Sequence, residues 1–303
     1  MPQYHNLLSC LTIFLFVIVI IATQTDVTHS MATGQKIALV TGGNKGIGFQ
    51  VAKALGNPAN NIKTIIGCRN IELGNAAAES LRTAGCNVIF KQLDISDASS
   101  IDKLTSSIVE EFGRLDILVN NAAIAFKGSD PTPFEQQAAP TIGVNFFSTL
   151  HVTNAMLPLL RKSPSPRIVN VASMAGHLRI LPSEEKKALI SSPALKLRDL
   201  ELLMHEFVTD VEGGTHAQKG CPNTCYGMSK LGLIALTKVL ARDEPEIMIN
   251  ACCPGYCDTD MTGGKGPRSA EHGARTPVML ALMPLDGVKP TGLFFSDEKE
   301  DAW

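Results

Sequence analysis

The residues predict an α/β fold: a single domain built on one doubly wound parallel sheet of about seven strands, with helices on both faces. Two observations lead there. Short apolar runs alternate along the chain with segments of helical period, which is the pattern of parallel strands joined by helical crossovers. The first of those runs is followed at once by a glycine-rich turn and then a helix, the corner that holds a phosphate in nucleotide-binding sheets.

Taken in order, Lys36-Ile37-Ala38-Leu39-Val40 is the first strand and Phe49 to Gly56 the first helix. Between them lies Thr41-Gly42-Gly43-Asn44-Lys45-Gly46-Ile47-Gly48. Its glycines allow a tight turn and the close approach of a pyrophosphate to free helix N–H groups. Alone the spacing also fits an ordinary glycine turn. Ile62 to Cys68 is the second strand, and Asn75 to Thr83 an alanine-rich helix. Asn87 to Leu93 is the third strand, ending at Asp94-Ile95. Ile101, Leu104, Ile108 and Phe112 recur at a helical period. Leu115 to Asn120 is the fourth strand. Ile142 to about Arg161 reads as one long apolar helix, and Arg167 to Ala172 as the fifth strand, ending in Ser173. Tyr226 to about Arg242 is helical, Glu246 to Cys252 is the sixth strand, and residues 292–295 form a short last one.

Composition agrees with a folded domain. Apolar residues make up 45% and charged residues 18%, enough for a large core. The net charge of −2 and the lack of a basic run give no footprint for nucleic acid. Eight cysteines are too few for a disulfide scaffold at 303 residues. Cys221/Cys225 and Cys253/Cys257 share a C-x-x-x-C spacing, which admits zinc, but zinc ribbons prefer tighter pairs and buried thiols fit as well, so no metal is assigned. Residues 1–30 stand apart from the domain at 34–303. Leu7 to Ala22 is apolar and uncharged, and no Lys or Arg precedes it. It reads as a membrane anchor, a signal peptide, or an extension upstream of Met31. The first two would associate residues 7–22 with a membrane and place the protein in the endomembrane or secretory route. A start at Met31 would leave it cytoplasmic.

The end of the second strand is where a sheet of this kind recognises the adenosine ribose: an acidic residue there suits an unmodified ribose, a basic one a 2′-phosphate. The residue is Arg69, and Lys45 lies in the glycine turn. Two cations favour NADP(H) over NAD(H), unless both are merely solvated charges. Tyr226 and Lys230 lie one helical turn apart and so share a face. A phenol with a pKa near ~10 is a poor acid–base group at neutral pH, and a neighbouring ammonium would lower that value. Lys230 would also hold the nicotinamide ribose. Ser173 would hydrogen-bond a substrate oxygen, and Asn145 would bind a water that links Lys230 to solvent. Together these groups suit hydride transfer to a carbonyl, with Tyr226 giving the proton.

Joined in this order, the motifs resemble the short-chain dehydrogenase/reductase family. The matching pieces are Thr41–Gly48, Asp94, Asn120-Asn121-Ala122, Asn145, Ser173, Tyr226-x-x-x-Lys230 and Pro254-Gly255 followed by Thr259. The resemblance implies a Rossmann-type fold, Asp94 and Ile95 at the adenine, Asn121 along the adenosine side, and Thr259 on the carboxamide. It also implies that Pro254 and Gly255 lie along the cofactor, with Met174 and Tyr256 in the substrate pocket. Thr41–Gly48, Val119–Phe126, Asn250–Gly255 and the terminal Trp303 are similar to the monomeric carbonyl reductases of that family. So is a long insertion between Ser173 and Tyr226, assigned to residues 177–220. Within it Leu200, Leu203, Met204, Phe207, Val208 and Val211 share a helical face, and Gly213-Gly214 follow as a cap. In those reductases such an insertion covers the surface used elsewhere for oligomers, which implies a monomer; a lid or a partner-binding helix is the alternative. Ala123, Leu73 and Tyr256 depart from the pattern, standing where glycine, a second arginine and tryptophan are expected.

The resemblance therefore implies NADPH-dependent reduction of small aldehydes, ketones or quinones. A dehydrogenase of the same fold acting on a steroid- or prostaglandin-like lipid, or a non-catalytic NADP(H)-binding regulator, would carry many of the same residues.

Overall fold

The computed structural model describes residues 34–284 and 289–303. The apolar segment 7–22, with its three readings, lies outside the described residues. No helix among the described residues is long and apolar enough to cross a membrane.

Eight strands form one sheet: β1 (Lys36–Thr41), β2 (Ile62–Cys68), β3 (Val88–Gln92), β4 (Ile117–Asn120), β5 (Arg167–Val171), β6 (Met248–Cys253), β7 (Phe294–Ser296) and β8 (Lys299–Glu300). Their order is β3-β2-β1-β4-β5-β6-β7-β8. All neighbours are parallel except β7 and β8. The eighth strand was not expected; two exposed residues carry no periodicity to read.

Alternation along the strands sorts side chains between two cores. Ile37 and Leu39 of β1 enter one, Ala38 and Val40 the other. The second core is closed by α1 (Gly46–Leu55), α2 (Ile71–Thr83) and α9 (Ala270–Leu282). The first is closed by α3 (Ala98–Phe112), α4 (Phe134–Ile142), α5 (Thr149–Leu160), α7 (Leu197–Glu212) and α8 (Cys225–Asp243). A short helix α6 (Glu184–Ser191) precedes α7. The chain builds β1, β2 and β3 in one direction, then places β4 on the other side of β1. This reversal beside β1 is the switch point, outside whose strand ends ligands usually bind in such sheets.

Several helix starts differ from the expectation for one reason: caps, not apolar period, set them. Asn70 accepts from the Leu73 amide at 2.8 Å and starts α2 a turn before Asn75. Asp97 caps α3 in the same way, from the Ser99 amide at 2.9 Å. The single long helix expected from Ile142 instead begins at Phe134 and passes through a π-helical turn at Gly143–Ser148. Pro140, which lacks an N–H, loosens the regular ladder just before that turn. Helices α6 and α9 were not expected. The first is half charged and buries only Ile190, and the second carries Pro277 in its interior.

Candidate active site

The glycine corner is built from main chain. Gly42 and Gly46 adopt φ of +65° and +55°, a region in which an L side chain is strained. A Cβ on Gly48 would stand 2.4 Å from the Gly42 carbonyl and 2.4 Å from Asn121 Nδ2. The first turn of α1 has no side-chain cap and no acidic residue, so the amides of Gly46, Ile47 and Gly48 stand at the switch point uncompensated by protein. Asn44 is half-buried in the turn. The corner is tied to the loop after β4. Thr41 Oγ1 accepts from the amides of Asn121 and Ala122, each at 3.0 Å. Asn121 Nδ2 donates to the carbonyls of Thr41 and Gly42 at 2.9 and 3.3 Å. The Asn121 side-chain amide thus acts as a strut between the two loops.

Lys45 pairs with Asp260 at 2.7 Å, both side chains exposed. Thr259 Cγ2 would meet a Cβ on Gly46 at 3.4 Å. The loop after β6 thus lies across the glycine corner, and its Thr259 and Thr262 cap one another. Ahead of them, Gly255 takes φ +81° and packs on Arg268, while the Pro254 carbonyl accepts from Cys257 Sγ at 3.2 Å. At the end of β2, Arg69 is exposed and lies near enough to Asp94 for its charge to stabilise that carboxylate. Asp94 accepts from the hydroxyl and amide of Ser96 at 2.6 and 2.9 Å, and these bonds hold it below the usual carboxylate range. Ile95 beside it is half-buried against the first core.

Ser173, Tyr226 and Lys230 come together where β5 ends. Ser173 opens the 3-10 turn Met174–Gly176, with its hydroxyl accepting from the Ala175 amide at 3.1 Å and lying near enough to the Tyr226 phenol to favour its ionised form. Thr224 caps α8 and places Tyr226 in its first turn. Lys230 is buried, donates to the Val171 carbonyl at 2.8 Å, and stands 5.6 Å from the centre of the Tyr226 ring. Burial pushes the phenol up to about 12; the Ser173 hydroxyl opposes this, and the nearby Cys253 adds to it. Burial pushes Lys230 down to about 8. Burial thus acts on the phenol against the lowering expected of the lysine, whose ammonium hydrogen-bonds the Val171 carbonyl.

Asn145 sits in the π turn, buried. Its Oδ1 accepts from the Ile124 amide at 2.8 Å, and its Nδ2 donates to the Ile124 carbonyl at 2.9 Å and to Ser229 Oγ at 3.0 Å. Both amide hydrogens are committed, so the side chain pins the loop after β4 to α8. Met174 is half-buried against the first core, and Tyr256 stands 55% exposed.

Behind the site runs a buried polar chain that the motifs did not reveal. Asn120 donates to Thr153 and Asn170 at 3.0 and 2.9 Å, and Asn170 donates to Thr237 at 2.9 Å. It joins β4, β5, α5 and α8. The signal available was polar residues inside apolar runs, which are costly to bury unless paired. The insertion helix α7 backs the same region. A Cβ on Gly232 of α8 would meet Met204 at 2.8 Å and Phe146 of the π turn at 3.1 Å, and Phe147 stacks on His205 at 4.2 Å. Burying Leu200, Leu203, Met204, Phe207 and Val211 contributes roughly 2 kcal/mol each. Among the described residues no three His, Cys, Asp or Glu side chains converge on a metal position.

With the geometry in view, similarity to known proteins becomes informative. The profile of the short chain dehydrogenase family matches residues 36–182 and 213–269, passing over most of the insertion. Carbonyl reductase (NADPH) 1 of Mus musculus is 42% identical over 281 residues, covering 90% of this chain and 100% of the relative. Carbonyl reductase (NADPH) 3 of Rattus norvegicus is 41% identical over 281 residues, with the same coverage. Among solved structures, salutaridine reductase from Papaver somniferum superposes with a TM-score of 0.79 at 32% identity, covering 86% of this chain and 99% of its own. Menthone neomenthol reductase from Mentha piperita gives 0.74 at 32%, covering 88% and 99%. The profile covers well over half of the chain and the relatives nearly all of it, and the chain belongs to the short chain dehydrogenase family.

Proposed function

We propose that this protein uses NADPH to reduce the carbonyl groups of small aldehydes, ketones or quinones to alcohols. The observation that carries the reading is the meeting of Ser173, Tyr226 and Lys230 at the end of β5, next to the switch point between β1 and β4. The reductases named above support it. The residues also fit the cofactor. Gly42, Asn44, Gly46, Ile47 and Gly48 would hold its pyrophosphate on the uncapped amides of α1. Lys45 and Arg69 would take the 2′-phosphate, with Asp94 and Ile95 at the adenine. Lys230 would hold the nicotinamide ribose, and Pro254, Gly255 and Thr259 would line the nicotinamide end. When bound, the cofactor supplies the hydride.

The chain's own groups handle the oxygen. Ser173 hydrogen-bonds the carbonyl oxygen beside Tyr226, with Met174 and Tyr256 at the pocket. Burial keeps the Tyr226 phenol protonated at neutral pH, the state a proton donor requires. The ammonium of Lys230 stabilises the phenolate left after the proton is given. Asn145 fixes the loop at Ile124 against α8. The insertion covers α4 and α8 within the chain, which supports a monomer, read directly as a single-subunit mass in sedimentation.

The test is NADPH oxidation with a panel of carbonyl compounds, on the wild type and Tyr226→Phe. The variant should lose about 10³-fold in kcat and keep its NADPH affinity. Turnover that survives the loss of the phenol would remove Tyr226 from the reaction, and no oxidation with any carbonyl would sink the reading.

A further inference from the structure

The terminal residue touches the catalytic end of the molecule. The β7–β8 hairpin reverses the chain through Asp297 and Glu298, both at positive φ, and the Asp301 amide closes it on the Phe294 carbonyl at 2.9 Å. Arg268 and Arg275 pin the two turn residues as ion pairs. Trp303 then packs against the first core, half-buried. Its Nε1–H donates to the Gly176 carbonyl at 2.9 Å, and Lys238 of α8 holds its ammonium 5.2 Å from the ring centre.

Gly176 ends the turn that Ser173 begins. The turn closes on itself, with the Gly176 amide donating to the Ser173 carbonyl at 2.9 Å and the Ala175 amide to Ser173 Oγ at 3.1 Å. Gly176 also rests directly on α8. A Cβ there would lie 2.4 Å from the Lys230 carbonyl carbon and 2.5 Å from the Leu231 nitrogen. One four-residue turn therefore sets where Ser173 stands relative to Tyr226 and Lys230, and Trp303 grips its far end.

We propose that Trp303 is a positioning residue: by holding the Gly176 carbonyl and lying against Lys238, it seats the Ser173–Gly176 turn on α8 and so sets where the Ser173 hydroxyl stands beside Tyr226. The inference rests on the carbonyl-reductase reading for its catalytic consequence, though not for the seating itself. Packing alone would be served by any large apolar residue, whereas seating the turn requires a donor directed at Gly176.

The experiment compares the full chain with Trp303→Phe, which keeps a ring over Lys238 and loses the N–H. In the variant kcat should fall about tenfold, with the carbonyl KM and the NADPH affinity nearly unchanged, because misplacing one reacting group costs rate before it costs binding. Amide hydrogen exchange should quicken at residues 173–177 and stay unchanged in β1 and α1. A Lys238→Met variant, which removes the cation and keeps the donor, should be affected less. Wild-type kcat or wild-type exchange in Trp303→Phe overturns the proposal. A fall in melting temperature with faster exchange across the whole sheet overturns it too, since that is ordinary packing. Should the wild type reduce no carbonyl, the functional reading fails, and the exchange comparison still decides whether Trp303 seats the turn. Trp303 is the single tryptophan of the chain, so its emission reports independently that the tail is docked in the wild type.

Discussion

Between β1 and β4 the site is made of main chain, whereas beyond β5 it is made of side chains. In the first region the working groups are amides at the start of α1, set by Gly42, Gly46 and Gly48 and braced by Thr41 and Asn121. In the second they are the Ser173 hydroxyl, the Tyr226 phenol and the Lys230 ammonium, with titration set by burial. The contrast follows from the ligands each must meet. A pyrophosphate is satisfied by several N–H donors that never change state. A proton transfer needs a group whose pKa the surroundings can move. Adding an atom should therefore damage the first region, and removing or recharging a group should damage the second.

After the loss expected in Tyr226→Phe, the largest effect tests the main-chain half. Gly48→Ala puts a methyl 2.4 Å from the Gly42 carbonyl, where neither it nor the Asn121 strut can yield cheaply. NADPH affinity should fall about 10²-fold, the equivalent of roughly 3 kcal/mol of overpacking. Nucleotide fluorescence on titration measures it, and an unchanged Kd would break the comparison.

Next in size is a pH effect confined to the side-chain half. Lys230 has its pKa pushed from 10.5 down to about 8, so its ammonium is present below that value and lost above it. The rate of reduction should decline as pH rises through about 8, approaching tenfold per unit, while NADPH binding at the glycine corner follows no such limb. The linked stability runs the other way. Between about 8 and 10.5 the unfolded chain binds the extra proton, so this residue's contribution to folding improves with rising pH. Lys230→Arg, which keeps its charge throughout, should erase the limb. A limb that persists in Lys230→Arg assigns it to another group.

The smallest effect sharpens the edge of the first region, where side chains reappear. Arg69 is exposed, and water and salt screen its charge. Arg69→Asp should weaken NADPH about tenfold and leave NADH little changed, with the difference shrinking in high salt. Equal loss for both nucleotides would show that Arg69 does not meet the 2′-phosphate.

How much was legible differs by region in the same way. The bounds of β2 match the expectation at both ends because exposed polar residues, Asn61 before it and Arg69 after it, flank its mostly buried run. The glycine corner was legible because its chemistry lies within one contiguous stretch, and the Tyr226/Lys230 pair because four residues along a helix define a shared face. The side-chain partners of Asn145 were not legible, because Ile124 and Ser229 lie 21 and 84 positions away. The Asn120–Asn170–Thr237 chain, the Lys45–Asp260 pair and the Trp303–Gly176 bond were invisible for the same reason.

The sequence by itself determined the alternation of strands and helices, the position of the glycine corner and the choice of candidate proton-transfer groups, because period, glycine conformation and side-chain chemistry are local properties. Only the tertiary structure decided that Asn121 is a strut, that the Tyr226 phenol is raised and not lowered, and that the last residue reaches the turn after Ser173. Each of these depends on which distant segments the crossovers bring into contact, and on how much water they exclude when they meet.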